Sequence, residues 1–349
     1  VTRDPPGYHD LQTSAEPRQH CWISLIHKGP KMTQSTQQLS VLGAGVLGGQ
    51  IGWHSAFKGK NVTIYDISEE SLERCRKTHA NYAQQYIKDL GASNSDIEKT
   101  RRRIIYTTDL QDAGDSADIV IEAVPEIPKI KIDLYEKLAK YLPDHTIVAT
   151  NSSTLLPSEF AQHTGRPDRF CALHFANLIW ISNLAEIMVH PDTSEETVRI
   201  ITEFAIEIGM VPIPVLKEKN GYVLNTWLVA LLNSSQSLIT NGVSRPEEID
   251  RTFMIVNRGT KFGPCGMMDI IGMKTCYDIL HHWGEHDNDE QMKKNADYIK
   301  THFLDKGKQG MLGGEGYYTY PKPEFLAKNF LEVPDKSMVN EIVRNVLNK

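Results

Sequence analysis

Residues Leu39-Ser40-Val41-Leu42 run straight into Gly43-Ala44-Gly45-Val46-Leu47-Gly48, an apolar stretch feeding a GxGxxG turn. No other feature restricts the fold as much. In that pattern Gly43 permits a tight strand-to-helix turn, Gly45 lets the backbone approach a pyrophosphate, and Gly48 lets the helix lie close to the strand. The following helix offers unpaired N–H groups and its positive dipole end to phosphate oxygens. A lone GxGxxG is weak evidence. Here a second apolar run, residues 61–65, ends at Asp66, 18 residues beyond Gly48. A carboxylate there can accept both adenosine ribose hydroxyls and repels a 2′-phosphate, which points to NAD over NADP. No basic residue directly follows Asp66 to reverse that choice. The bland alternative, a glycine-rich turn with a helix-capping Asp, leaves the coincidence of strand, turn and acid to chance.

From residue 39 short Val/Ile-rich runs alternate with longer helical stretches, the pattern of a parallel sheet wrapped by helices. The runs predict strands at 39–42, 61–65, 104–107, 117–124, 146–150, 170–174, 185–189 and 211–215, most of them buried on both faces. Helices are expected near 48–59, 69–90, 130–142 and 195–208. After residues 217–220 the character changes. Val223, Trp227, Leu228, Leu231 and Leu232 recur at helical spacing, and Pro246 opens a further helix near 246–257. The expected architecture is therefore α/β. A Rossmann-type doubly wound dinucleotide-binding domain at 36–216 is expected to be followed by an all-α domain at 217–349, the candidate for substrate binding and dimerisation. Residues 1–35 hold four prolines and no periodicity; they read either as a disordered arm or as an extension foreign to the natural protein, with Met32 as a natural start.

A chain of 349 residues with 40% hydrophobic and 23% charged residues can bury a large core without disulfides or metal. Its five cysteines are scattered and form no CxxC pair, which suits a reducing compartment. The formal net charge of -6 disfavours nucleic-acid binding. No apolar run reaches membrane-spanning length, and no secretory or mitochondrial leader is evident, so a cytoplasmic location is expected.

Oxidising an alcohol by hydride loss needs a base for the hydroxyl proton, and neutral imidazole is suited to it. His174 ends the apolar run Phe170-Cys171-Ala172-Leu173, at the carboxyl edge of a parallel sheet, where such folds bind ligands. Taken alone, a histidine at a strand end is more often structural. Glu186 changes the weighting. It lies 12 residues on, in Ala185-Glu186-Ile187-Met188, where an unpaired charge among apolar neighbours would be costly. On an adjacent strand it could fix the imidazole tautomer and stabilise the imidazolium. Its bland alternative is a surface acid on an edge strand.

At this point the sequence resembles the 3-hydroxyacyl-CoA dehydrogenase family. The resemblance covers roughly residues 38–320. It rests on the glycine turn, on ADIVIEAVPE at 117–126, on Asn151-Ser152-Ser153-Thr154 and on His174-Phe175-Ala176-Asn177. It continues through Ala185-Glu186-Ile187, Gly221-Tyr222-Val223-Leu224-Asn225, Gly263-Pro264 with Asp269, and Gly314-Glu315-Gly316-Tyr317-Tyr318. The resemblance implies that His174 is the catalytic base and Glu186 its paired carboxylate. Ser153 would contact the reacting oxygen and Asn225 the thioester side. Bland readings of those two are a helix cap and a polar helix start. On the cofactor side it implies Gly43, Gly45, Val46, Leu47, Gly48, Asp66, Ala123, Glu126, Lys131, Ser153 and Asn177, with Asn177 meeting the nicotinamide. The expected substrate is an (S)-3-hydroxyacyl-CoA thioester of fatty-acid β-oxidation, and no metal is expected. A homodimer is expected through the second domain, which is too small to bury all its apolar helix faces alone.

The chain departs from the family pattern in four places. Leu178 stands where a proline commonly follows the asparagine, and Asn220 replaces a proline before Gly221. Thr226 replaces an arginine after Asn225, and Gly266 replaces an acid after Gly-Pro. None touches the base, its carboxylate or the glycine turn. The bulky Ile179-Trp180 is expected to narrow the acyl pocket and favour a short chain. Arg74–Lys77 and Arg101–Arg103 are candidate coenzyme A phosphate contacts, though such runs are more often solvated faces. Two rivals share these features: a dehydrogenase of another 3-hydroxy compound, such as carnitine or a sugar acid, and a non-catalytic NAD-binding protein.

Overall fold

A computed structural model describes residues 36–244, 246–258, 264–327 and 329–347. The N-terminal segment 1–35 and Gly263, both singled out by the sequence, lie outside the described residues. The sheet domain runs β1 (Gln38–Leu42), α1 (Val46–Phe57), β2 (Asn61–Tyr65), α2 (Glu69–Leu90), α3 (Asn94–Arg102), β3 (Ile104–Thr107), α4 (Leu110–Gly114) and β4 (Ile119–Glu122). It continues through α5 (Pro128–Leu138), β5 (Ile147–Thr150), β6 (Phe170–Phe175), β7 (Leu184–Met188), α6 (Glu195–Glu207) and β8 (Val211–Val215). Every expected strand is present, with its ends at the expected residue or within two of it.

The eight strands form one sheet in the order β3-β2-β1-β4-β5-β6-β7-β8. Neighbours are parallel from β3 through β6, β7 is antiparallel to β6, and β8 is parallel to β7. The order reverses between β1 and β4, and a crevice opens at such a switch point, beyond the carboxyl ends of the strands. The continuous apolar runs are buried on both faces. One core layer includes Val41, Ile64, Ile121 and Leu173, the other Leu42, Val120, Val148 and Phe170.

No apolar periodicity marks α3, because only Ile97 and Thr100 of its nine residues are buried. A capping box sets its start instead: Ser93 accepts the Asp96 amide, and Asp96 accepts the Ser93 amide.

The helical region holds α7 (Leu224–Thr240), α8 (Pro246–Val256), α9 (Pro264–Ile271), α10 (Met273–His286) and α11 (Glu290–His302). Met273, Cys276, Ile299 and Phe303 form a core there. Asp269, buried in α9, accepts the amides of Tyr317 and Tyr318 and the hydroxyl of Tyr320. A Cβ on Gly316 would meet its carboxylate at 2.1 Å. The Asp269 and Gly316-Tyr317-Tyr318 motifs are thus one structural clasp.

One expectation about the domains is corrected. The last helix, α12 (Val339–Val346), does not stay with the helical region. Val339, Val343 and Val346 are buried in the sheet-domain core, where α12 lies against α6 and β8. Lys336 joins Lys60 in pairing with the half-buried Glu207. The hydrophobic stripe of α12 finds its apolar partner on the first domain, so the tail returns to it.

Candidate active site

Beneath the glycine turn lies a cavity of about 870 Å³, walled by Gly43–Val46, Asp66–Ser68, Arg74, Ala123–Pro125 and residues of α2 and α5. Gly43 has φ +112, and a Cβ there would meet the Ala123 carbonyl oxygen at 2.5 Å. A Cβ on Gly45 would meet nothing within 4 Å. That is the openness a backbone needs to admit a phosphate. The close-approach role assigned to Gly48 is divided. A Cβ on Gly48 would hit the Gly43 carbonyl oxygen at 2.0 Å, so this residue lets the turn itself close. Gly52 lets α1 approach the sheet, where its Cβ would meet Ile64 at 2.7 Å. Gly45 caps α1 without a side chain, leaving the first-turn amides of Val46 and Leu47 with no side-chain acceptor. Val46 lines the cavity, whereas the Leu47 side chain turns toward the core. Asp66 accepts the amides of Ala44 and Ser68, one on each oxygen, and keeps lone pairs toward the cavity.

Arg74, a candidate for coenzyme A, faces this cavity instead, and it is tied to Glu70 and Ser71. Arg76 pairs with Glu69 and lies 4.7 Å from the Tyr106 ring centre, and Arg101 pairs with Glu98. These pairs are those of solvated helix faces.

Glu126 and Lys131 lie outside the cavity wall and work inward. Glu126 accepts the Ser152 hydroxyl, the amides of Ser153 and Thr154 at 3.0 and 2.9 Å, and the Thr154 hydroxyl. Burial works against its charge, but these donors and Lys131 outweigh burial and hold its carboxyl down at about 2. Lys131, fully buried, donates to Glu122 at 2.7 Å and lies 3.2 Å from Glu126. Glu122 in turn accepts the Val124 amide and the hydroxyls of Tyr135 and Thr150. The sequence reading missed Glu122. The signal that picked out Glu186, an acid inside an apolar strand, is equally present in Ile119-Val120-Ile121-Glu122.

His174 and Glu186 are direct cross-strand partners in the β6–β7 register. Nδ1 of His174 lies 2.8 Å from Glu186 Oε2, and its Nε2 lies 3.1 Å from the Ser153 hydroxyl. Both side chains are buried, and β7 is an interior strand rather than an edge. The other oxygen of Glu186 accepts the amides of Val223 and Leu224 at 2.8 and 2.9 Å, at the start of α7. A carboxylate there complements the helix dipole. Asn225, one residue on, is half-buried at the beginning of the same helix.

The linker is laced to the sheet domain by further bonds. The Ser158 amide donates to Glu218, and Asn220 Nδ2 donates to the Thr154 carbonyl at 2.6 Å. Asn220 thereby supplies a donor that a proline lacks.

Asn177 is exposed on the loop after β6. Leu178 has φ +58, a backbone that proline cannot adopt, which accounts for its departure from the family pattern. Gln50 of α1, another residue missed, accepts the Leu178 amide at 2.8 Å and so ties this loop to the helix that follows the glycine turn. The expectation for Ile179-Trp180 is overturned. Both are buried in the sheet-domain core, with Trp180 against Tyr82 and Tyr86 and donating to Asp89. Neither is free to narrow a pocket.

The glycine turn, Glu126, Ser153 and His174 follow or end β1, β4, β5 and β6, four neighbours at one edge of the sheet. Three strand spacings of about 4.8 Å put the two extremes roughly 14 Å apart, a span suited to an extended dinucleotide. Residues 38–219 match the NAD-binding domain of 3-hydroxyacyl-CoA dehydrogenase, and residues 221–320 match its C-terminal domain. The chain belongs to the 3-hydroxyacyl-CoA dehydrogenase family. NAD is its cofactor, and it is an oxidoreductase of that family. It is 30% identical to human mitochondrial hydroxyacyl-coenzyme A dehydrogenase, over 81% of this chain and 91% of that one. It is 32% identical to a probable 3-hydroxybutyryl-CoA dehydrogenase of Deinococcus radiodurans, over 81% of this chain and all of that one. Among solved structures, a diketoreductase acting on dicarbonyl compounds is 44% identical, with a TM-score of 0.61 over 82% of this chain and 100% of that one. Among the described residues no helix is long and apolar enough to cross a membrane.

Proposed function

We propose that the protein interconverts short-chain (S)-3-hydroxyacyl-CoA and 3-oxoacyl-CoA thioesters, with His174 as general base and acid. The observation that carries this reading is the line Glu186–His174–Ser153, with contacts of 2.8 and 3.1 Å. Glu186 accepts the proton on Nδ1 and so leaves the Nε2 lone pair facing outward. The Ser153 hydroxyl marks where a substrate oxygen would sit within reach of Nε2. In the oxidising direction the substrate hydroxyl proton passes to Nε2, and Glu186 balances the imidazolium. In the reducing direction the same proton returns to the carbonyl oxygen. NAD, when bound, supplies the acceptor for the hydride that leaves the same carbon. Asn225, carried beside the amides that hold Glu186, suits the thioester side, and Asn177 the nicotinamide.

The short chain rests on the relatives named for hydroxybutyryl substrates. A second reading rests on the 44% identity to the diketoreductase: a dicarbonyl compound free of coenzyme A. NADH consumption separates them. We expect kcat/KM for acetoacetyl-CoA to exceed that for a free dicarbonyl ester of similar length by at least about tenfold. The opposite preference would select the second reading.

A second copy of the chain is the partner we assign to the helical region, where Trp227, Phe253, Ile255, Val256 and Ile271 are exposed. Light scattering at twice the chain mass is the expected result, and a monomer refutes it. Cys75, Cys171, Cys265 and Cys276 are free thiols, and we assign the protein to the reducing cytoplasm.

A further inference from the structure

The linker that joins the two regions does more than connect them. Tyr222 has φ +53, left-handed backbone that a bulky side chain rarely adopts, directly after Gly221 at φ +82. Its ring is 1% exposed and lies over the His174 imidazole, with centroids 4.8 Å apart and planes 31° apart. Its buried hydroxyl has no hydrogen-bond partner among the described residues. The next two residues donate their amides to Glu186. Three consecutive residues thus close on the pair, the first on the imidazole and the other two on the carboxylate.

Two costs are carried at position 222: left-handed backbone under a large side chain, and an unpaired buried hydroxyl. Such costs persist where the surroundings demand the group. A phenyl face attracts an imidazolium and has little preference for a neutral imidazole, most strongly where water is excluded. We propose that Tyr222 is a positioning residue whose ring holds His174 in register with Glu186 and favours its protonated form. This rests on the reading of His174 as the acid–base group. The groups that face His174 are Glu186 from β7, Ser153 from the loop after β5, and Tyr222 itself. Glu122, Glu126 and Cys171 act on the Tyr222 hydroxyl electrostatically. Burial first, then the charges of Glu126 and Glu186, push that phenol far above its ordinary range. It stays neutral, and the ring face is the part that acts.

The test compares Tyr222→Phe with Tyr222→Leu, which keeps the site dry but removes the π face. The readouts are the acid limb of kcat/KM in the oxidising direction and the NMR titration of the His174 ring, assigned with His174→Gln. Tyr222→Phe should reproduce the parent curves. Tyr222→Leu should move both midpoints down by about one pH unit, with NAD affinity changed by less than about twofold. An unmoved midpoint in Tyr222→Leu, or an equal shift in Tyr222→Phe, overturns the proposal. Should Tyr222→Leu fail to fold, ring-fluorinated phenylalanines at 222 keep the shape and weaken the face. A midpoint that falls with each fluorine supports the proposal, and a flat series refutes it. The NMR readout needs no turnover. A shifted midpoint without activity on any thioester sinks the functional reading alone, and an unshifted midpoint with full activity sinks this inference alone.

Discussion

The glycine turn and the His174–Glu186 pair occupy the same edge of one sheet, yet they are held by different means. The turn is built from absences: no Cβ at Gly43, Gly45 and Gly48, and no side-chain cap on α1. All its parts except Asp66 and Ala123 lie within a few residues. The pair is built from presences. It needs the β6–β7 register, the loop after β5 and the first amides of α7. The difference teaches that cofactor binding can belong to the sheet domain by itself, while the proposed proton-transfer geometry needs the linker and the start of the helical region.

The most damaging break is at the pair. In Glu186→Gln the Val223 and Leu224 amides would retain the side-chain oxygen, turning its NH2 toward Nδ1 of His174. The imidazole would then carry its proton on Nε2, the wrong tautomer for a base. We expect kcat to fall by about 10³–10⁴-fold while NAD affinity, measured by fluorescence titration, stays unchanged. Next comes the turn. Gly48→Ala places a methyl 2.0 Å from the Gly43 carbonyl oxygen and should weaken NAD binding by about 100-fold, leaving the His174 NMR titration where it was. Between the two ends stands Glu126, whose carboxylate gathers the loop bearing Ser153. Glu126→Gln should lower kcat/KM by about tenfold and touch both readouts, because the residue serves both ends.

Mild acid gives a further contrast between the two ends. Two buried histidines anchor α1: His54, within the helix, sits between the Tyr86 hydroxyl and the Ile208 carbonyl, and His79 of α2 sits between the Tyr106 hydroxyl and the Gly49 carbonyl. Burial pushes both down to about 4. The unfolded chain takes up these protons near 6.5 and the folded chain only near 4. Stability is therefore complete above about 6.5 and drains away as pH falls toward 4. Thermal melts across that window should show it, and hydrogen exchange should show α1 loosening before β6 and β7. Exchange in the reverse order would erase the distinction between the two ends.

The same contrast governs what could be read from the sequence. Strands were legible because they are continuous apolar runs, and the turn because its glycines adjoin. His174 and Glu186 were legible together because a buried acid needs a partner and a neighbouring strand offered one. Glu122 carried the same signal and was passed over, since its partners Lys131, Tyr135 and Thr150 lie up to 28 residues away. Gln50 serves a loop 128 residues distant, which no local pattern reveals. The return of α12 to the sheet domain was hidden for the same reason: an amphipathic stripe does not say which surface it will cover. Trp180 misled because bulk beside a site motif looks like a pocket wall, whereas the Tyr82 and Tyr86 rings and Asp89 draw it into the core.

The central claim is that the imidazole of His174 moves the substrate proton. Single-turnover reduction of acetoacetyl-CoA by bound NADH, compared in the parent protein and His174→Gln, addresses it most directly. A rate lowered by about 10³-fold or more, with NADH and acetoacetyl-CoA affinities within about threefold of the parent, is the predicted result. A rate within tenfold of the parent would contradict the claim.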